Sequence, residues 1–133
     1  MIDSVFVIDD QKIDLMLAVR ALERSGLVRR IEAFRCPAEA LSALSCATRQ
    51  RPDLILVDVH MPAMDVFEFV ERAHIGVGAD CAGAIYVMQS LELNESDIQR
   101  LRAHETVRGC VEKPLQLEDV RAIDAALNTL SAA

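Results

Sequence analysis

No apolar run in the chain approaches the ~18 residues a membrane-spanning helix needs, so no span is expected. A basic excess is also missing: 14 Lys and Arg stand against 21 Asp and Glu, for a net charge of −7. That balance argues against a nucleic-acid surface, which wants a basic face, and against adsorption to anionic membranes. Met1-Ile2-Asp3-Ser4 has no basic n-region, so a secretory signal is not expected and a cytoplasmic location is. There is no C-x-x-C pair. Cys36, Cys46, Cys81 and Cys110 are scattered, which disfavours a disulfide framework or zinc site and predicts thiols buried as small hydrophobes. Gly76, Gly78 and Gly83 do not form G-x-G-x-x-G, because position 81 is Cys; they read as loop glycines. No long linker, repeat or low-complexity segment interrupts the sequence.

What is present suits a single domain over 1–133, with its core over about 4–130: 133 residues, 52% hydrophobic and 26% charged. Apolar segments of two kinds alternate. Val5-Phe6-Val7-Ile8 and Leu54-Ile55-Leu56-Val57 are short continuous runs that suit strands covered on both faces. Ile31 to Phe34 is a more polar strand, expected at an edge. Ala84 to Met88 and Val107 to Val111 complete the strands. Between them run helical patterns: Leu15, Leu17, Ala18, Ala21 and Leu22, closed by Gly26; a helix opened by Pro37; Asp65 to about Ala73; Asn94 to His104; and Leu115 to Leu130, with Leu117, Val120, Ile123 and Leu127 facing inward.

Strand-helix alternation repeated five times implies a parallel sheet with helices on both faces. Right-handed crossovers leave few arrangements, and a doubly wound, flavodoxin-like (βα)5 α/β fold of strand order 2-1-3-4-5 is expected. In such sheets ligands sit beyond the carboxyl ends of the strands, at the switch point between strands 1 and 3. Asp9 and Asp10 end strand 1, Asp58 ends strand 3, Ser90 ends strand 4 and Lys113 ends strand 5. One topology therefore gathers these polar terminators into one crevice. Clustered carboxylates repel unless a cation is present, and all-oxygen ligation points to a hard ion such as Mg²⁺. A carboxylate can also serve as a nucleophile and become an acyl phosphate. Taken singly each residue has a plainer role: Asp9-Asp10 a solvated turn with Asp as N-cap, Asp58 a loop aspartate, Lys113 a surface lysine.

The chain resembles a receiver domain of the two-component response regulators, of the stand-alone type. The matching pieces are Val7-Ile8-Asp9-Asp10, the stretch from Pro52 through Asp58-Val59-His60-Met61-Pro62-Ala63-Met64-Asp65, Val87-Met88-Gln89-Ser90, and Val111-Glu112-Lys113-Pro114. The resemblance implies that Asp58 takes a phosphoryl group from a histidine kinase or phosphotransfer protein. It implies Mg²⁺ held by Asp10, Asp58 and the backbone carbonyl of His60, with Asp9 acting largely through water. Lys113 would pair with the phosphate, and Ser90 would hydrogen-bond it to shift the helix 4–strand 5–helix 5 face toward a downstream protein. A cis Lys113-Pro114 bond, with Pro114 as a structural residue, is implied as well. Such a protein is no enzyme beyond its own phosphorylation and dephosphorylation, and a weak homodimer stays open.

Three residues depart from the family pattern. Val66 stands where Gly is usual, so the loop after Asp58 is expected to run differently, since a β-branched residue resists positive φ. Cys110 stands where an aromatic switch residue is common, and Tyr86, the only tyrosine, lies inside strand 4. Leu91 follows Ser90 where a small residue is usual. His74 and His104 read as surface histidines, and the imidazole of His60 as a modulator of hydrolysis. With the sequence ending soon after the expected helix 5, a DNA-binding domain is not expected. Two alternatives remain: a scaffold receiver that signals by binding alone, and a small Mg²⁺-dependent phosphatase, against which the missing Asp-x-Asp arrangement counts.

Overall fold

A computed structural model describes residues 1–46, 50–78, 80–89 and 93–132, with backbone only for 130–132. Five strands and five helices alternate: β1 (Ile2–Ile8), α1 (Lys12–Ser25), β2 (Val28–Phe34), α2 (Pro37–Leu44), β3 (Leu54–Asp58), α3 (Val66–Gly76), β4 (Ala84–Gln89), α4 (Glu95–Arg102), β5 (Val107–Glu112) and α5 (Leu117–Ala132). The strands pair in parallel in the order β2-β1-β3-β4-β5. The α/β doubly wound sheet expected from the alternation is the one observed.

The continuous apolar runs split by the two-residue period of a strand. Val5 and Val7 of β1, with Leu54 and Leu56 of β3, face one side and pack with Leu15, Ala18 and Leu22 of α1 and Val120 and Ile123 of α5. Phe6 and Ile8, with Ile55 and Val57, face the other side and pack with Ala40 and Leu44 of α2 and Phe69 and Val70 of α3. Both faces are covered, so neither needs polar residues. β2 is the edge, and its side chains are half-buried or exposed.

Helix ends follow local chemistry. Gly26 closes α1 in the left-handed region at φ 68°. Asp65 and Asn94 cap α3 and α4, accepting from the backbone N–H groups of Glu68 and Asp97 at 2.9 and 2.8 Å. Gly83 is more than a loop glycine: a Cβ there would stand 2.5 Å from the carbonyl oxygen of Asp53, so the entry to β4 requires its absence.

Several expectations need correction. Val66 adopts no positive φ; it is the first residue of α3, fully buried, and asks nothing unusual of the loop. Leu17 and Leu117 were expected inward, yet both are exposed, because the buried stripes run through Leu15, Ala18 and Leu22 and through Leu115, Val120 and Ile123. Among the cysteines only Cys81 is fully buried; Cys46 and Cys110 are exposed and Cys36 is half-buried. His74 and His104 are not independent surface groups. Their Nδ1 atoms lie 3.2 Å apart and tie α3 to the segment after α4. No helix among the described residues is long and apolar enough to cross a membrane.

Candidate functional site

The carboxyl ends of β1 and β3 place Asp9, Asp10 and Asp58 at the switch point of the sheet. Each can offer a carboxylate oxygen such that all of these lie within 4.8 Å of one another. Asp58 is the last residue of β3 and is buried, not a loop aspartate. Asp9 is fully buried and is not the cap of α1. That position belongs to Gln11, whose N–H donates to Asp9 Oδ1 at 3.0 Å and so folds the strand into the helix. Asp10 is half-buried, and its backbone carbonyl accepts from Arg35 Nη2 at 3.3 Å.

Lys113 reaches the cluster from the end of β5 and is no surface lysine: its side chain is 11% exposed. The ammonium Nζ lies 2.7 Å from Asp9 Oδ2, 2.8 Å from Asp58 Oδ1 and 3.2 Å from Asp14 Oδ2. Burial alone would lower its pKa, but the hydrogen bonds and charges of Asp58 and Asp9 outweigh that and hold it above the ordinary lysine range. Lys113 is therefore a fixed cation. Burial pushes the Asp9 carboxyl up, Asp58 adds to that, and the bonds from Lys113 and from the Gln11 N–H offset part of it. The Lys113-Pro114 bond is cis.

One ammonium does not satisfy this group of acids. Asp10 Oδ1 is buried and has no hydrogen-bond partner. A buried acceptor without a donor, beside further carboxylates, is costly unless a cation completes it. The donors are all oxygen and suit a hard divalent ion rather than a soft one. The imidazole of His60 is exposed and is not part of this cluster.

Ser90 and Leu91 lie outside the described residues. Cys110 is exposed on β5, opposite Val87, and lines a cleft of about 300 Å³ between α4 and β5 with Gln89, Leu93, Ile98 and Leu101. The ring of Tyr86 packs against Gly109, where a Cβ would come within 3.1 Å of it, on the α1–α5 side of the sheet. Sequence reasoning missed Asp14 and Arg35. Asp14 lies in the first turn of α1, where an acid is ordinary as a complement to the helix dipole, and no motif marks either residue.

Comparison with known proteins agrees with this geometry. The family model described as "Response regulator receiver domain" matches residues 5–123. Sporulation initiation phosphotransferase F of Bacillus subtilis is 31% identical over 73 residues, covering 55% of this chain and 55% of that protein. A two-component response regulator of Arabidopsis thaliana is 31% identical over 121 residues, covering 90% of this chain but 17% of that protein. The chain thus spans about half of the one and under a fifth of the other. A two-component response regulator structure from Cytophaga hutchinsonii superposes with a TM-score of 0.81 at 24% identity, covering 96% of this chain and 98% of that one. The chain belongs to the response regulator receiver domain family of two-component signalling.

Proposed function

We propose that Asp58 accepts a phosphoryl group from the phosphohistidine of a kinase or phosphotransfer protein. The modified crevice then alters the α4–β5–α5 face for a downstream protein. The observation that carries this reading is the Lys113 ammonium, clamped between Asp58 and Asp9 beside an unpartnered oxygen of Asp10.

The acids fit Mg²⁺, which would be held by Asp10, Asp58 and the carbonyl of His60, with Asp9 acting through water, and would supply charge neutralisation between carboxylate and phosphoryl group. A free oxygen of Asp58 attacks phosphorus in line with the bond to the donor imidazole. The P–N bond breaks, its electron pair stays on the imidazole nitrogen, and that nitrogen takes a proton from solvent. Lys113 keeps its proton throughout and meets the phosphoryl oxygens as a cation. The Ser90 hydroxyl is proposed to donate to a phosphoryl oxygen. Cys110 offers no ring to swing inward, so the signal passes through the Ser90 segment and α4 without a rotamer switch at position 110. Attack of water on phosphorus returns Asp58 to its free state.

Acetyl phosphate with Mg²⁺ tests the reading, with Asp58→Asn as control. Slow labelling that the variant lacks is the expected result. Turnover of an added phosphoester would favour a phosphatase, and no labelling a scaffold; either contradicts the proposal.

A further inference from the structure

Asp14 is a fourth acid at this site, outside the metal cluster. It sits on α1, its side chain is 38% exposed, and its Oδ2 lies 3.2 Å from Lys113 Nζ. An ammonium carries three N–H donors. One is donated to Asp14 Oδ2 at 3.2 Å, while Asp9 Oδ2 and Asp58 Oδ1 lie at ion-pair distances of 2.7 and 2.8 Å. Lys113 thus pairs by charge with Asp9 and Asp58 and donates a hydrogen bond to Asp14, and a phosphoryl oxygen that takes that N–H must displace Asp14.

We propose that Asp14 is that exchangeable acceptor, a positioning residue acting through Lys113. It accepts an N–H of the ammonium while Asp58 is free and yields that N–H to a phosphoryl oxygen once Asp58 is modified. The proposal rests on the reading of Asp58 as phosphoacceptor. The choice among the acids follows from burial. Asp9 is fully buried, so taking Lys113 from it would strand a buried charge. Asp58 Oδ1 remains beside Nζ as the acyl oxygen when the other oxygen is esterified. Asp14 has the longest contact and the most water around it, so its carboxylate is rehydrated on release.

The sign of the effect follows. Asp14 competes with the phosphoryl group for one N–H and adds negative charge facing an anionic donor. Its removal should make modification of Asp58 easier. In the labelling step with acetyl phosphate, an Asp58 oxygen bonds to phosphorus, the P–O bond to the acetyl group breaks, and acetate leaves with the electron pair.

The test uses the whole chain with Mg²⁺ and two probes, acetyl phosphate labelling and equilibrium binding of beryllofluoride. Asp14→Ala should raise the labelling rate and tighten beryllofluoride binding by about two- to fivefold, the scale of one partly exposed ion pair. Asp14→Asn should show part of the gain, and Asp14→Glu, which restores charge and acceptor, should return to wild type. A role in helix stability alone would move the melting temperature and leave beryllofluoride affinity unchanged. Wild-type or slower labelling in Asp14→Ala, with the wild type itself labelling normally, overturns this proposal alone. A wild type that does not label overturns the phosphoacceptor reading with it.

Discussion

Lys113 is the residue on which the crevice depends, because it compensates two buried carboxylates at once. Breaking a buried ion pair by removing one partner strands the other charge, at a cost on the order of 3 kcal/mol. Lys113→Ala should therefore lower the urea-unfolding free energy by about that amount, and Mg²⁺ should restore part of it by neutralising Asp58. Equal stability with and without Mg²⁺ in that variant would contradict a cation site beside Lys113. Asp10→Asn should leave the fold intact, because Asp10 is only half-buried and its Oδ1 has no bond to lose, yet abolish Mg²⁺-dependent labelling of Asp58. Labelling at the wild-type rate would show the metal assignment to be wrong. Asp9, Asp10, Asp58 and Lys113 were legible in the sequence because each ends an apolar run, and the topology sends those ends to one place. Asp14 was not legible: only the reach of Lys113 across from β5 gives it meaning, and an acid in a first helical turn needs no further explanation.

Among the helices, α4 buries little apolar surface. Leu101 is its only fully buried residue. Ile98 packs partly buried against the same core, and further ties are the Arg100 guanidinium 4.0 Å above the Phe67 ring and, just past the helix end, the His104–His74 contact. Elements with little buried apolar surface open at low cost. Amide hydrogen exchange in α4 should therefore be faster than in α1, which buries Leu15, Ala18, Ala21 and Leu22, and beryllofluoride should change it more there than in α1. Equal exchange in the two helices would remove α4 as the moving part. Gly83 tests the opposite, rigid end of the sheet. Gly83→Ala should destabilise the fold by about 1–3 kcal/mol, as overpacking does, because the new Cβ meets backbone rather than a movable side chain. Strand and helix count were readable from periodicity, and strand order from the handedness of parallel crossovers. Which way Leu17 and Leu117 point was not, because adjacent apolar residues make a helical stripe ambiguous by one position until α1 and α5 are packed together.

At the scale of the whole molecule, pH acts through groups far apart. His74 has its pKa lowered, by burial first and then by the charge of His104. Its neutral form is thus favoured in the native state. Below the ordinary histidine value of 6.5 the unfolded chain binds more protons than the folded one, so this contribution to stability is present above 6.5 and fades as pH falls toward the folded pKa. Asp9, with its pKa raised, acts in the opposite sense: its contribution is present at low pH and is lost as pH rises through its folded value. Urea unfolding at pH 7.5 and 5.5, compared between wild type and His74→Gln, isolates the histidine. The variant should lose less stability on acidification than the wild type, and an equal loss would contradict the buried contact.

The convergence of the β1, β3 and β5 ends on one proposed phosphoacceptor is tested most directly by finding where the phosphoryl group goes. The chain is treated with acetyl phosphate and Mg²⁺, reduced with borohydride to trap the acyl phosphate as homoserine, digested and sequenced by mass spectrometry. The expected result is homoserine at position 58 alone, absent without Mg²⁺. Trapping at Asp9, Asp10 or Asp14, or no trapping at all, would contradict it.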